Sequence, residues 1–360
     1  MAIAFLFLIV ALLLSWIWHG TTTYPLIQLL KTSCSDDALH WDSSRPLKVM
    51  SYNVQYMASK NYVFFYNVEG GTDSKPSEEH TRQTLDRVAQ IVSDENPDVL
   101  FVQEINGKND SRSHFVDQIS KLQNLLGEKR YVCQAGAGYW QVKHVLHPKI
   151  NGSVDMKLAI LSKYEITEAV RYQLPQRAYS PLIQRFHIQR ALLEARIQSS
   201  DGSEISVMTS HFDYKGENTG IMQRQVEFLN TKLQELNVQN IPWVIGGDFN
   251  LLPPDGEKQL TQLINAGTGL YDAPSALTLL YENYNAIPAI DDLSSELSSN
   301  WYTHYPNDPR VNGPDRTIDY IFYSDHWNVL SSYVRRKDTL DVSDHLPIVT
   351  TLEFSSFSNN

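Results

Sequence analysis

One short segment, Trp243 to Asn250 with the sequence WVIGGDFN, constrains the fold of this chain more than any other. Its apolar start indicates a buried strand, and the adjacent glycines Gly246 and Gly247 let the backbone approach a neighbour closely. Side chains two positions apart on a strand share a face, so Asp248 and Asn250 are expected to point the same way. A simple turn at the strand end is the alternative interpretation of these two residues.

Other apolar segments end in the same kinds of residue. Strand-like runs lead to Asn53, Glu104 and His211, a β-rich run contains Asp319, and Asp344-His345 directly precedes the run LPIV. Carboxylates, carboxamides and imidazoles are the side chains that bind hard metal ions and transfer protons. Their recurrence at the ends of separate strands favours one shared site over a set of independent turns.

With these motifs in this order, the chain resembles the endonuclease/exonuclease/phosphatase superfamily, the DNase I-like metal-dependent phosphoesterases. The resemblance runs from about Leu47 to Phe354 and rests on SYNV, VLFVQE, LAILSKY, TSHF, GGDFN, RTIDYIF and SDHLPI. It implies that Asn53 and Glu104 bind the metal ion. The residues that it implies complete the site are His211, Asp248, Asn250, Asp319, Asp344 and His345.

The chain departs from this family pattern at two positions. Relatives that cleave abasic DNA place an acidic residue two positions after the first Asn, whereas this chain has Gln55. Several nucleases of the group carry Arg or Lys two residues beyond the metal-binding Glu, whereas this chain has Asn106. The first difference leaves open whether the site holds one metal ion or two.

The expected fold is an α/β (α+β) four-layer sandwich of two packed mixed β-sheets flanked by helices, with an N-terminal hydrophobic helix. Apolar spacing predicts helices over 78–95, 113–126 and 221–236, with short strands between and after them. Two inserts, 61–75 and 273–305, are predicted to be rim loops that select the substrate. The aromatic residues of the first insert could stack bases or contact lipid, although packing beneath the loop is the simpler interpretation.

The N-terminus contains an uncharged apolar run, residues 3–18, followed by polar segments. No basic residue precedes this run and no Ala-x-Ala cleavage site follows it, while Trp16 and Trp18 are suited to a membrane interface. We therefore expect residues 1–20 to be a membrane anchor or signal, 21–46 a linker, and 47–356 a single catalytic domain. A retained single-pass anchor is favoured over secretion after signal cleavage, and over a buried core helix.

Charge and cysteine content limit the choice of partner and compartment. The formal net charge of −11 disfavours binding of nucleic acid through a general basic surface, and favours a phospholipid or small phosphoester as substrate. It does not exclude a nuclease acting on DNA or RNA. The two cysteines, Cys34 and Cys133, are too few for a disulfide framework, so a bridge between them stays open. The protein is expected to be a monomer.

These residues can assemble the parts that hydrolysis of a phosphoester requires. Asn53, Glu104 and Asp344 offer only oxygen, which selects Mg²⁺, or Mn²⁺, over zinc; a zinc site would instead use the histidines as direct ligands. Asp248 is predicted to deprotonate the attacking water, while Asn250 holds that water or a phosphate oxygen.

The remaining polar residues have predicted roles around the phosphate. Asp319 is expected to orient His345 and to favour its charged form, which neutralises phosphate charge. His211 would contact the phosphate or protonate the leaving oxygen. Arg190 and Arg316 are candidate phosphate contacts or, equally, members of surface ion pairs. The contrasting hypothesis from another functional class is a catalytically silent binding protein that retains the fold.

Overall fold

A computed structural model describes residues 2–355, apart from 67, 128–129, 146, 148, 151, 215–218, 255, 268–270 and 272. The strands are β1 (Ile27–Leu29), β2 (Ser33–Cys34), β3 (Leu47–Asn53), β4 (Val99–Asn106), β5 (Cys133–Val142), β6 (Val154–Ser162), β7 (Ile166–Gln173), β8 (Ala191–Gln198), β9 (Glu204–His211), β10 (Trp243–Asp248), β11 (Asn285–Ile287), β12 (Asp319–Tyr323), β13 (Trp327–Val334) and β14 (Ile348–Phe354). The helices are α1 (Ala2–Gly20), α2 (Glu78–Glu95), α3 (Gln118–Leu126), α4 (Pro181–Gln184), α5 (Ile221–Val238), α6 (Glu257–Ala266), α7 (Thr278–Asn283) and α8 (Ile290–Ser294), with short 3-10 turns at Gln55–Met57 and Ser298–Trp301.

Two seven-stranded mixed sheets pack face to face, and this arrangement confirms the predicted sandwich. One sheet has the order β1-β7-β8-β9-β10-β12-β11, and the other β13-β14-β3-β4-β6-β5-β2. Each sheet contains a parallel pair, β9 with β10 and β3 with β4, while the other pairings between the strands named above are antiparallel. Parallel strands end at the same edge of a sheet, so both sheets present the ends of central strands on one side of the molecule.

Helices cover the outer faces of both sheets because their apolar stripes match those faces. Helix α2 occupies the predicted range, is capped by the Ser77 hydroxyl, and ends at Asn96 in a left-handed conformation. With α3 it packs on one sheet, and α5 and α7 pack on the other. The apolar side chains between the two sheets form the central core.

Two boundaries and one connection differ from the sequence-based expectation. Helix α3 begins at Gln118 rather than at 113, because Asp117 caps it and the preceding residues form turns. The insert 273–305, expected to be a rim loop, contains α7, β11 and α8, and β11 extends a sheet by pairing with β12. Its Ser- and Asn-rich composition concealed this short edge strand.

The segment 21–46, predicted to be a linker, lies against the domain instead of forming a free tether. Strand β1 pairs with β7 and β2 with β5, each at the edge of a different sheet. The Trp41 side chain is fully buried in the core between the sheets. A disulfide joins Cys34 to Cys133 across 99 residues. Backbone pairing and this bond therefore attach the segment, which its polar composition did not indicate.

Helix α1 carries large apolar side chains that are exposed, Phe7 at 70% and Trp18 at 67% among them. Its C-terminal end contacts the domain, since the ring of Trp16 stacks on His144 and the guanidinium of Arg185 lies 4.4 Å from the ring centre of Trp18. Among the residues that the structure describes, no helix combines the length and the apolarity needed to cross a membrane.

Candidate active site

The sheet register brings three of the predicted site residues into line. Asp248, at the end of β10, is paired with His211 at the end of β9 and with Asp319 at the start of β12. Pairing across neighbouring strands places these three side chains next to one another on the sheet edge. The three motifs are therefore adjacent in space although 108 residues separate the first from the last along the chain (211 to 319).

The strand-alternation argument for Asn250 is wrong, because β10 ends at Asp248 and Asn250 has a left-handed backbone, with φ 51°. Instead, the backbone N–H of Asn250 donates to the Asp248 carboxylate over 2.9 Å, and its carboxamide donates to the carbonyl of Phe212. This is the turn that was the alternative interpretation. The turn nevertheless keeps Asn250 beside Asp248.

Glu104 reaches the site through a local irregularity in β4. The register against β6 shifts between Val102 and Ile105, and Glu104 itself has φ 53°. A β-bulge redirects a side chain that regular pairing would turn elsewhere. Here the bulge brings Glu104 Oε1 to 3.3 Å from the Asn53 carboxamide nitrogen, which lies at the end of β3.

Asn53 connects the two sheets at the site. Its carboxamide N–H group donates to Asp248 Oδ2 over 3.0 Å, and its oxygen accepts the backbone N–H of Gln55. The side chains of Asn53 and Asp248 are both buried. The predicted metal ligands on one sheet therefore contact the predicted base on the other.

A second group of contacts links His345 to two carboxylates. His345 Nδ1 lies 2.8 Å from Asp319 Oδ2, and its Nε2 lies 3.5 Å from Asp248 Oδ2. Burial lowers the pKa of His345, but Asp319 and then Asp248 raise it to about 10 overall. Burial in turn raises the pKa of Asp248 to about 7, with the negative charges of Asp319 and Glu104 adding to the effect. Asp319 thus holds a charged imidazolium against Asp248.

His211 differs from His345 in charge. Its Nε2 lies 3.2 Å from Asp248 Oδ2, and its Nδ1 lies 3.4 Å from the hydroxyl of Tyr139. Burial, followed by the positive charges of Arg190 and His345, holds the pKa of His211 well below its usual range. One imidazole in the site is therefore charged and the other neutral.

Asp344 lies in a neighbouring group that includes two residues which the sequence did not indicate as its partners. Its carboxylate accepts a hydrogen bond of 2.7 Å from the side chain of Gln55, and it lies 3.9 Å from Nε2 of His304. The negative charge of Asp344 also raises the pKa of Glu104, after the larger effect of burial. His304 belongs to no recognisable motif and lies 12 residues before Arg316, where the RTIDYIF segment begins, so no local signal in the sequence suggested it.

The two candidate phosphate-binding arginines have different environments. Arg316 pairs with Asp315 over 2.6 Å, and its guanidinium also donates to Tyr271. Arg190 is buried, with 4% exposure, and its Nε and Nη1 atoms have no hydrogen-bond partner among the described residues. Its guanidinium lies 5.6 Å from the ring centre of Tyr139, whose hydroxyl contacts His211, so it lies at the site. Neither arginine is a simple surface residue.

The donor set is suited to a divalent cation. Among the described residues, the only hydrogen bond to the Glu104 carboxylate comes from Asn53, and no lysine or arginine pairs with it. Carboxylate and carboxamide oxygens are the ligands that hard cations prefer. Asn53, Glu104 and the nearby Asp344 could therefore hold such an ion, and its charge would offset the repulsion between the two carboxylates.

Comparison with known proteins agrees with this architecture. The chain aligns with the crystal structure of an endonuclease/exonuclease/phosphatase from Beutenbergia cavernae DSM 12333 at a TM-score of 0.53 and 21% identity, covering 87% of this chain and 72% of that one. It aligns with the human Nocturnin catalytic domain with bound sulfate at 0.54 and 17% identity, covering 89% and 97%. A family protein from Leptotrichia buccalis C-1013-b gives 0.54 and 15% identity, covering 86% and 100%.

At these identities the structural likeness concerns the fold alone. No curated protein matches the sequence significantly. The sequence model of the Endonuclease/Exonuclease/phosphatase family, however, matches residues 50–345, most of the chain and all of the site residues described above. The resemblance first noted in the motifs is thereby confirmed, and this chain belongs to the endonuclease/exonuclease/phosphatase family.

Proposed function

We propose that the protein is a divalent-metal-dependent phosphoesterase, with Mg²⁺ as the expected ion, that hydrolyses a phosphodiester or a phosphomonoester. The observation that carries this proposal is the continuous series of contacts Asp319–His345–Asp248–His211, closed on the other sheet by Asn53 and Glu104. It combines a base, a fixed cation and an oxygen-rich cation site within contact distance. Hydrolysis of a phosphoester needs these three components together.

Asp248 is the proposed base. A carboxylate with a pKa of about 7 accepts a proton from an attacking water more readily than an ordinary aspartate, because its basicity matches neutral pH. Its hydrogen bonds from Asn53 and from the Asn250 backbone fix the direction of its oxygens. The Asn250 carboxamide, held next to it by the same turn, is positioned to orient the water or a phosphate oxygen.

The two histidines are proposed to serve the phosphate in different ways. His345 keeps its positive charge through Asp319, so it can neutralise charge that develops on the phosphate oxygens. His211 is neutral, so it can donate a hydrogen bond from one nitrogen without adding charge. Both rings are held by contacts to Asp248 or Asp319 before substrate binds, which reduces the cost of ordering them.

The environment of Arg190 supports an anionic substrate. A buried guanidinium whose Nε and Nη1 have no partner is costly, because the desolvation of each N–H group is uncompensated. A phosphate oxygen beside His211 and Glu104 would supply the missing acceptors. We assign Arg190 the role of a phosphate contact.

Asn53, Glu104 and Asp344 are the proposed metal ligands. They would hold a divalent ion, which would supply positive charge to a phosphate oxygen and lower the pKa of a water molecule. The ligands themselves are fixed by the chain: Asn53 by the backbone of Gln55, Glu104 by the bulge in β4, and Asp344 by the Gln55 side chain.

A small phosphoester or a phospholipid is the proposed substrate class. The net charge of −11 opposes an extended polyanion, and the aromatic side chains of insert 61–75 largely pack on one another, as in the stacked rings of Tyr62 and Phe64. The exposed apolar side chains of α1 further support attachment to a membrane through this helix. The full-length protein should then stay with membranes after an alkaline wash, and a mature N-terminus beyond Trp18 would contradict this.

A panel assay tests the proposed activity. Purified protein is incubated with DNA, RNA, inositol phosphates and sphingomyelin in Mg²⁺, with and without EDTA. Wild-type protein should hydrolyse at least one of them, Asp248→Asn should not, and EDTA should abolish the reaction. The matched control is Asp338→Asn, which removes an aspartate paired with Arg335 at the surface. Hydrolysis that is unaffected by Asp248→Asn would exclude Asp248 as the base. If wild-type protein hydrolyses none of the substrates, the hypothesis of a catalytically silent binding protein is favoured.

A further inference from the structure

The imidazole of His304 occupies a fixed position beside Asp344. The backbone N–H of His304 donates to the Arg316 carbonyl, and its own carbonyl accepts from Asp315. The next residue, Tyr305, donates its N–H to the carbonyl of Asp344. Isolated bridges to Arg316 and His345 complete this arrangement. His304 is therefore held from both sides, although it lies outside the regular strands.

The ring of His304 has no hydrogen bond from either nitrogen to any residue that the structure describes. Nδ1 is buried and unpaired, and the side chain as a whole is only 14% exposed. A buried polar nitrogen without a partner is uncommon and costs stability. The other nitrogen, Nε2, faces the Asp344 carboxylate and has no hydrogen bond to a described residue either. The neighbouring ring of His345, 4.4 Å away between centres, already pairs with Asp319 and does not satisfy it.

A metal ion fits between the other ring nitrogen of His304, Nε2, and the carboxylate of Asp344. His304 Nε2 and Asp344 Oδ2 are 3.9 Å apart. Two ligand atoms bound to one ion at ordinary nitrogen and oxygen distances can be at most about 4.3 Å apart. One ligand atom from each of His304, Asp344 and His345 lies within 4.8 Å of the others. The two ring nitrogens of His345 already contact Asp319 and Asp248. The side chains with room for an ion between them are therefore those of His304 and Asp344.

We infer that His304 is a nitrogen ligand of the metal site, so that the site is a mixed nitrogen and oxygen site rather than an oxygen-only one. This inference deepens the proposed function and rests on it for the presence of a divalent ion. An imidazole ligand favours transition-metal ions over Mg²⁺, which strongly prefers oxygen. The protein should therefore bind Mn²⁺ or Co²⁺ more tightly than Mg²⁺.

Pulsed electron paramagnetic resonance of bound Mn²⁺ tests this without any substrate. Full-length wild-type protein loaded with Mn²⁺ should show modulation from a directly bound ¹⁴N, and ¹⁵N-histidine labelling should replace that signal. The modulation should disappear in His304→Asn and persist in His40→Asn, a matched control whose side chain is 42% exposed and faces Glu165. Calorimetry should show that His304→Asn weakens Mn²⁺ binding at least about tenfold and Mg²⁺ binding much less.

The outcomes separate the two proposals. If Mn²⁺ bound to the wild-type protein shows no nitrogen modulation, the ligand assignment is overturned. This result does not depend on whether any variant folds. If the modulation persists in His304→Asn but is lost in His211→Asn, the nitrogen ligand is His211, and the assignment of His304 is again overturned. Loss of turnover in His304→Asn with unchanged Mn²⁺ modulation would make His304 a substrate contact instead. Failure of the phosphoesterase itself would show as intact metal binding without hydrolysis.

Discussion

The substitution Asp319→Asn tests the effect of one carboxylate charge on His345. It preserves side-chain size while removing the negative charge that lies 2.8 Å from Nδ1, where both side chains are buried. Burial alone would lower the pKa of His345; Asp319, followed by Asp248, raises it to about 10 from an ordinary value of 6.5. In the variant, His345 should lose the largest of the favourable contributions, and its pKa should fall because burial then dominates.

The magnitude follows from this difference in pKa. A rise from 6.5 to about 10 corresponds to about 5 kcal/mol in favour of the imidazolium, and Asp319 is the largest of the contributions that raise the pKa. A base whose pKa is raised keeps its charge below the raised value and loses it as the pH rises through that value. Asp248 works in its deprotonated form, which prevails above about pH 7. Wild-type kcat should therefore rise near pH 7 and fall towards pH 10. Asp319→Asn should move the falling limb to neutral pH and, because Asp319 also raises the pKa of Asp248, move the rising limb to lower pH.

The pH–rate profile of the best substrate provides the measurement. At pH 8 the variant should lose about 10- to 100-fold in kcat, with part of the loss recovered at lower pH. Nuclear magnetic resonance of ¹⁵N-labelled histidine reads the protonation of His345 directly, and Asp338→Asn serves as the control. An alkaline limb that stays at its wild-type position in Asp319→Asn would refute the assigned role of Asp319.

Four other substitutions test separate parts of the structure. Asp248→Asn should lower kcat at least about a hundredfold with substrate affinity little changed, and wild-type turnover by a variant with an unaltered circular dichroism spectrum contradicts the proposed base. Glu104→Gln should raise the Mg²⁺ concentration for half-maximal activity about tenfold or more, so an unchanged requirement argues against Glu104 as a ligand. Replacing both Cys34 and Cys133 by Ser should lower the free energy of unfolding by about 2–5 kcal/mol in urea titration, while equal stability would show that the bond contributes nothing. Gly246→Ala should cost about 1–3 kcal/mol by the same measurement and reduce activity, because it forces the sheets apart; a stable, fully active variant disproves this.

Regular elements could be predicted because their periodicity is local. The spacing of Leu85, Val88 and Val92 gives α2 its buried face, and Ser77 and Asn96 fix its ends. Strand β10 was recognisable from its apolar run, and its parallel partner β9 places His211 beside Asp248. The family resemblance then implied two packed mixed sheets flanked by helices, without their strand order.

The parts that were missed depend on contacts between distant segments. Gln55 and Asp344 are 289 residues apart along the chain, and their hydrogen bond has no local pattern that could reveal it. The β1 and β2 strands are only three and two residues long, too short for alternation to show. Asn250 deviated because the strand ends at Asp248 and Asn250 itself has a left-handed backbone, which an apolar run cannot indicate. Sequence periodicity describes elements, whereas these features arise from how the elements meet.

The close approach of the two sheets explains why the site can form at their shared edge. A Cβ added at Gly246 would lie 2.8 Å from the Phe101 side chain and 3.0 Å from the Cβ of Ser51, both on the opposite sheet. Two residues further along each of the strands that carry Gly246 and Ser51, Asp248 and Asn53 meet over 3.0 Å. A larger residue at 246 would widen this gap, and a hydrogen bond does not survive an increase of about half an ångström without loss of strength. The glycine that allows close packing in the core therefore also sets the distance between the proposed base and the proposed metal ligands.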